Sequence, residues 1–281
     1  MKIGCIGQGF VGKNIADNLE QRGYDVVRYA LETEYKNNKS LIAECGIVFI
    51  GVPTPSTPEG FDFSVVTEVL KLVADGSVAV IKSTLLPGTT KILQDLYPNK
   101  VVLFSPEFLC ENTAAYDVTN PIMNIIGLPY ETAGHQKAAE SVQATFPVSK
   151  HNFVVSAEAA ELFKYAHNLN GYFRVILTNL LFEVGETFEV NWGDVKTMMD
   201  SDSMLSPYYN SPVHKDGRGA GGNCFVKDMA AFRSLYSEVV AKDPNGLEVL
   251  KALEKKNLEL LNATGKSKDI VRGVYGEEPS Q

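Results

Sequence analysis

The sequence predicts an α/β protein in which an N-terminal doubly wound sheet is followed by a long connecting helix and a smaller all-α domain. Three observations carry that prediction. A glycine-rich turn, Gly7-Gln8-Gly9-Phe10-Val11-Gly12, directly follows a short apolar run at the start of the chain. Short strand-like stretches then alternate with helical or loop segments as far as Leu128. From Ser156 the pattern changes to sustained helical spacing.

Lys2 to Ile6 reads as a buried strand leading into the glycine turn, and Asn14 to Gln21 as the helix after it. In such a turn Gly7 permits the tight bend, Gly9 lets a pyrophosphate approach the backbone, and Gly12 lets helix and strand pack closely. A second strand, Asp25 to Tyr29, completes a βαβ unit, the context that turns a weak GxGxxG match into a Rossmann-like dinucleotide site. Gly7, Gly9, Phe10, Val11 and Gly12 are therefore assigned to a dinucleotide cofactor. The acidic residue that usually takes the ribose hydroxyls is missing where Ala30 stands. Glu32 could serve from the loop, or Arg28 could lean toward a 2′-phosphate.

Further strands are expected at Ile47 to Val52, Val78 to Ser83, Val101 to Phe104 and Asn124 to Leu128, in a parallel sheet whose ligands bind beyond the carboxyl ends. Three strand ends carry unusual loops on that side. They are Val52-Pro53-Thr54-Pro55, the segment from Lys82-Ser83-Thr84 to Pro87-Gly88-Thr89, and the segment from Ser105 to Glu111. Pro53, Thr54 and Thr84 are placed beside the cofactor, and Glu107 and Glu111 are carboxylates at the same edge.

Ser156 is a fair N-cap for a helix running from Ala157 to Val190, with Glu158 in its first turn. Lys164 and Asn168 lie one turn apart on it, so a proton carrier or oxyanion cation can project beside an amide. Helices follow at Asn191 to Asp200, Asp228 to Ala241 and Gly246 to Asn262. A turn-rich loop, Ser201 to Gly222, holds His214, Lys215 and Arg218, and the tail after Ala263 is expected to fray. The expected boundaries are 1–155 for the dinucleotide-binding domain, 156–265 for the helical domain and 266–281 for the tail.

The stretch from Gly219 to Asp228 is the chemically richest. Its glycines allow close approach of a ligand, and Cys224 falls near a helix N-terminus, where amide N–H groups and Lys227 one turn on favour thiolate. Asp228 shares that face and could position or deprotonate a water.

At 281 residues and 44% hydrophobic, the chain is long enough for two cores. Its net charge of -8 argues against a general nucleic-acid or anionic-membrane binder, though not against a small anion held locally. The 4 cysteines lack CxxC spacing, so neither a disulfide framework nor a metal site is suggested. No apolar run nears the ~20 residues of a membrane span. Met1 opens into a strand rather than a secretion signal, so a cytoplasmic location is expected.

Taken in order, GQGFVG at the start, VPTP (52–55), KSTLLPGT (82–89), SPEFLCENTAAYD (105–117), EAAELFKYAHN (158–168) and GGNCFVKD (221–228) resemble the UDP-glucose/GDP-mannose 6-dehydrogenase family over roughly residues 1 to 262. The resemblance implies NAD-dependent four-electron oxidation of a primary alcohol to a carboxylate. In it Cys224 forms the thiohemiacetal and thioester, Lys164 and Asn168 stabilise the oxyanion, Asp228 and Thr84 hold the water, and Glu107 assists hydrolysis. Glu111 and Lys227 would lie nearer the nicotinamide. It also implies a small-molecule substrate, a nucleotide sugar or sugar alcohol, with no nucleic-acid or membrane partner, and a homodimer through the long helix. The family continues into a third domain that binds the UDP or GDP portion, whereas this sequence ends. Two other readings stand beside it: a two-electron β-hydroxyacid-type dehydrogenase, which gives Cys224 no task, and an inactive NAD-binding module.

Overall fold

Lys2–Ile6 (β1) contributes four consecutive buried positions, the pattern of a strand covered on both faces. The computed structural model describes residues 1–32, 34–215 and 217–276. Two units are present, Met1–Thr54 with Asp62–Lys164 and Pro55–Phe61 with Tyr165–Gln281.

In the first unit β1 leads to α1 (Phe10–Gln21) and β2 (Asp25–Tyr29). A 3-10 segment, Lys36–Glu44, precedes β3 (Ile47–Ile50). The second unit takes the small hairpin β4 (Ser56–Thr57) and β5 (Gly60–Phe61). The chain then returns through α2 (Ser64–Leu70), β6 (Val78–Ile81), α3 (Thr89–Leu96), β7 (Val101–Phe104), α4 (Ala114–Thr119), β8 (Met123–Leu128), α5 (Ala133–Gln143) and β9 (His151–Ser156). The seven strands lie in the order β2-β1-β3-β6-β7-β8-β9. Ile3, Cys5, Phe49, Val80, Leu103 and Ile126 from its strands pack with Ala16 and Leu19 of α1 and Val142 of α5 in one core.

The expected all-parallel sheet needs correction. β7 and β8 pair antiparallel, through Phe104 and Gly127, while β8 and β9 are parallel to each other. A parallel return needs a helix or equivalent segment that carries the chain back along the strand, and the connection from Ser105 to Ile122 holds only the six-residue α4, about 9 Å long. The strand β9 was not expected at all. It is an edge strand whose residues are nearly all exposed, so no apolar alternation marks it.

The helix α6 (Ala157–Thr187) starts as expected, with Ser156 Oγ accepting from the Ala159 N–H at 3.2 Å. The second unit continues with α7 (Trp192–Ser201), the hairpin β10 (Val213–His214) and β11 (Gly217–Arg218), α8 (Gly222–Val239), α9 (Pro244–Thr264) and α10 (Lys268–Tyr275). α8 begins six residues before the expected Asp228, so Cys224 lies in its first turn. The expected frayed tail is instead α10: Val271 and Val274 pack with Val226 of α8 and Leu261 of α9. Among the described residues no helix is long and apolar enough to cross a membrane.

Candidate active site

In the first unit the strand order reverses around β1, with β2 on one side and β3 on the other, and such a switch point opens a crevice at the carboxyl ends. The glycine turn fills that position. Gly7 has φ 86°, and a Cβ there would lie 2.3 Å from the Gly51 carbonyl oxygen at the end of β3. A Cβ on Gly12 would fall 1.8 Å from the Gly7 carbonyl oxygen. Both positions therefore exclude any side chain, whereas the space around Gly9 is open to 4 Å. Gly9 caps α1 without a side-chain hydrogen bond and the first turn carries no acid, so its N–H groups and dipole are left to an anion. Those features fit a dinucleotide pyrophosphate. Phe10 and Val11 open the helix, Phe10 being 44% exposed.

Arg28, one of the two candidates for the ribose end, is already committed. Its guanidinium meets Asp17 at 2.6 Å and Glu20 at 2.7 Å and also donates to Gln8 Oε1 at 3.3 Å. The hydrogen bonds to Glu20 and Asp17 hold it still more firmly protonated. Glu32 is exposed beyond β2. A guanidinium already paired with two carboxylates has no spare charge for a 2′-phosphate, and the carboxylates themselves repel one, so NADH is expected to bind at least ~10-fold more tightly than NADPH in a fluorescence titration. Tighter NADPH binding would contradict this assignment of Arg28.

The strand-end loops are tied to one another. Val52 N–H donates to Ser83 Oγ at 3.0 Å, and Thr54 Oγ1 donates to the Thr84 carbonyl at 2.8 Å, with Pro53 between them. The loop after β7 brings Glu107 to Lys164: the amine donates to the Glu107 carbonyl at 2.6 Å and to Oε1 at 2.9 Å, while Oε2 accepts from the Leu109 N–H at 2.8 Å. Their side chains are 12% and 4% exposed respectively. Phe108 lies under the Lys164 amine, 5.3 Å from nitrogen to ring centre. Glu111, four residues on, is exposed.

Two residues of this region escaped sequence reasoning. Lys82 donates to Ser105 Oγ at 3.0 Å and the Pro106 carbonyl at 3.1 Å, fastening β6 to the loop that carries Glu107. Burial pushes its amine down to about 8 despite the opposing pull of Glu107. Glu161 is fully buried and accepts from the Gly88 and Thr90 N–H groups and from Thr90 Oγ1, at 2.7, 2.8 and 2.6 Å. It closes the N-terminus of α3 and so fixes the far end of the Thr84 loop. Burial pushes its carboxyl up to about 7 against those three donors. The signal available in the sequence was a Glu, one turn before Lys164, set among Ala159, Ala160, Leu162 and Phe163.

Burial pushes the Glu107 carboxyl up, but the Lys164 charge, the Leu109 N–H and Lys82 outweigh it and hold it below its ordinary 4.5. A carboxylate depressed on folding adds stability above its unfolded pKa and loses it as pH falls through the folded value. The melting temperature is therefore expected to fall on acidification below about pH 4.5, and less steeply in Glu107→Gln, as calorimetry between pH 3 and 7 would read. Equal slopes for both proteins would contradict it.

In the second unit α6 presents Asn168 to α8. Asn168 Nδ2 donates to Asp228 Oδ2 at 2.5 Å and the Lys227 amine meets Oδ1 at 2.5 Å, so a carboxylate only 1% exposed has both oxygens engaged. Ser56 Oγ donates to the Lys227 carbonyl at 2.8 Å. Cys224 is an exposed thiol in the first turn of this 18-residue helix, which has no acid in that turn to cancel the dipole. Phe225 beside it meets Tyr209 at 5.6 Å between ring centres. Arg218, in the loop before α8, is occupied by Asn179 Oδ1 at 2.7 Å and Glu183 at 3.0 Å. The structure thus pairs Lys164 with Glu107 in one unit and Asn168 and Lys227 with Asp228 in the other, where Cys224 stands four residues before Asp228 on α8.

A glycine turn at a sheet switch point together with a helical unit carrying an exposed helix-terminal thiol defines a dinucleotide-binding protein of the dehydrogenase class. The chain belongs to the UDP-glucose/GDP-mannose dehydrogenase family, whose NAD binding domain matches residues 28–146 and whose central domain matches residues 158–259. It is similar to the UDP-glucose 6-dehydrogenase of Haloferax volcanii, 26% identical over 82% of this chain and 64% of that protein. A UDP-glucose dehydrogenase structure from Pyrobaculum islandicum shares the fold with TM-score 0.79 and 22% identity, over 92% of this chain and 68% of that one. So does a 3-hydroxyisobutyrate dehydrogenase from Mycobacterium tuberculosis, with TM-score 0.71 and 15% identity over 95% of both chains. The chain spans less than two thirds of the length of the first curated relatives it matches, 64% and 30%.

Proposed function

We propose that the protein is an NAD-dependent nucleotide-sugar 6-dehydrogenase that carries a primary alcohol to a carboxylate in two oxidations. The observation that supports this best is the exposed Cys224 thiol in the first turn of α8, four residues before a buried Asp228 already paired with Asn168 and Lys227. NAD supplies the hydride acceptor in each oxidation. Between them the Cys224 thiolate adds to the aldehyde carbon, and the oxygen takes up the charge as a thiohemiacetal alkoxide, stabilised by Lys164 and Asn168. Loss of hydride from that carbon leaves a thioester, and water aided by Glu107, with Thr84 and Asp228 as its holders, releases carboxylate and restores the thiol. The balance is one alcohol, one water and two NAD giving one carboxylate, two NADH and three protons. Asp228 orients Asn168 and Lys227, and Glu107 holds the Lys164 amine between steps.

The reading includes a cytoplasmic homodimer. Leu177, Leu180, Leu181 and Val184 form a stripe at helical spacing on α6 and are 42 to 58% exposed, a face a second copy of the helix would cover. Sedimentation at two protein concentrations tests it, and a strict monomer would remove it.

The deciding experiment is turnover with UDP-glucose, GDP-mannose and related sugars while reduced cofactor is counted. Two NADH per sugar consumed supports the proposal. One per substrate favours a two-electron β-hydroxyacid-type dehydrogenase, a reading that leaves Cys224 without a task; the 3-hydroxyisobutyrate enzyme shares the fold. NADH binding without turnover would leave an inactive cofactor-binding module.

A further inference from the structure

The segment before Cys224 cannot hold itself in place. Between Gly217 and Gly222 four of six residues are glycines, which lose more backbone freedom on folding than any other residue, and Gly219 and Gly222 stand at φ 88° and 82°. α8 begins at Gly222 with Gly221 as its cap, which offers no side-chain acceptor. A helix start of this kind frays unless something outside it satisfies its N–H groups.

The α9–α10 corner does so. Asn257 of α9, 2% exposed, accepts from the Ala220 N–H at 2.7 Å and donates to the Ala220 carbonyl at 3.0 Å. Thr264 Oγ1 accepts from the Arg218 N–H at 3.2 Å. Past the end of α9 the Lys266 amine donates to the Gly217 and Gly219 carbonyls at 3.2 and 2.9 Å. Ser267 Oγ accepts from the Gly222 N–H at 3.1 Å, supplying from a distant part of the sequence the cap that α8 lacks. The seat is tight enough to explain the glycines: a Cβ on Gly221 would come 2.5 Å from Ser267 Oγ, and one on Gly217 would come 2.4 Å from Thr264 Oγ1. Ser267 itself sits at φ 57°, a conformation a serine keeps only where its surroundings determine it. Behind it α10 is held by Val271 and Val274 against Val226, two residues beyond Cys224. Lys266 and Ser267 lie past the 158–259 match to the family's central domain.

We infer that the α9–α10 corner positions the nucleophile, with Asn257, Lys266 and Ser267 as positioning residues that keep the first turn of α8 formed and Cys224 in its dipole. The inference rests on the reading of Cys224 as the reactive thiol. Its effect is indirect: with the corner intact the first-turn N–H groups remain aligned beside the sulfur, and with it released the turn opens and the thiolate loses that stabilisation.

The test is alkylation by iodoacetamide across pH 6 to 10, followed peptide by peptide so that Cys224 and Cys110, the other exposed thiol, are read separately. In Lys266→Met the Cys224 rate at pH 7 is expected to fall about threefold or more, with its pH midpoint displaced upward. Ser267→Ala should move both in the same direction by less, and Lys266→Arg, which keeps the charge and donors, should restore most of the rate. NADH binding and the Cys110 profile should stay as in the wild type. Wild-type profiles at Cys224 in both Lys266→Met and Ser267→Ala would overturn the inference, as would parallel changes at Cys110 that report general loosening. If Lys266→Met does not fold, Ser267→Ala alone decides. Because alkylation needs no sugar, a wild type that oxidises no nucleotide sugar would remove the proposed activity while the alkylation profiles still judged the corner.

Discussion

Cys224→Ser is expected to lower carboxylate formation from a nucleotide sugar by ~10³-fold or more and to cut the NADH count per sugar from two to at most one. The size follows from what the sulfur is asked to do. An aldehyde can lose no second hydride until a nucleophile has added to its carbon, and serine at the same helix terminus remains overwhelmingly protonated at neutral pH. The thiol sits where first-turn N–H groups and a dipole cancelled by no acid in that turn favour the anion. Its exposure means that removing one sulfur leaves no cavity, so the melting temperature should stay close to the wild type and NADH should still bind. Rapid-mixing kinetics with cofactor counting would read the outcome. Two NADH per sugar from Cys224→Ser would reject the thioester route and leave Cys224 with no chemical task.

The parts of this arrangement that were legible in the sequence are those whose physics is local. The glycine turn is one: Gly7 and Gly12 are glycine because a Cβ at either would overlap a carbonyl oxygen, and a strand before and a helix after were enough to read that from spacing. Ser156 at the head of α6 is another, since an N-cap is decided within four residues. What was missed depends on distant partners. Nothing within β8 tells it to run against β7, and nothing within the exposed β9 marks it as a strand. Arg28 reads as a possible phosphate ligand until α1 folds back and brings Asp17 and Glu20 to it. Lys82 reads as a loop charge until β7 ends beside it. α10 carried a usable signal in Ile270, Val271, Val274 and Tyr275, which recur at helical spacing, but its polar flanks suggested a tail. The candidate site divides the same way: residue identities were available from ordered motifs, while the pairings of Lys164 with Glu107 and of Asp228 with Asn168 and Lys227 needed the fold.

Those pairings allow chemistry and stability to be separated at Lys164. Lys164→Met removes a charge from a pair whose side chains are 4% and 12% exposed, leaving the Glu107 carboxylate desolvated with only the Leu109 N–H and the field of Lys82 to stabilise it. Stranding one member of a buried pair typically costs about 3–5 kcal/mol, and the remaining Lys82 charge places the expected loss near the lower end, at about 3 kcal/mol by denaturant unfolding. Replacing both members by uncharged groups of similar shape, Lys164→Met with Glu107→Gln, removes the stranded charge, so the double variant should regain at least half of that loss. Activity should behave otherwise. If the Lys164 amine stabilises the alkoxide and Glu107 the hydrolytic step, turnover stays ~10²-fold or more below the wild type in the single and double variants alike. Glu107→Gln alone, with the amine retained, should let a sugar thioester on Cys224 build up to an amount visible by mass spectrometry of the intact protein. A double variant that recovered turnover along with stability would show that Lys164 and Glu107 serve only to hold the loop after β7 against α6, and would move the search for the oxyanion's cation to Lys82 or Lys227.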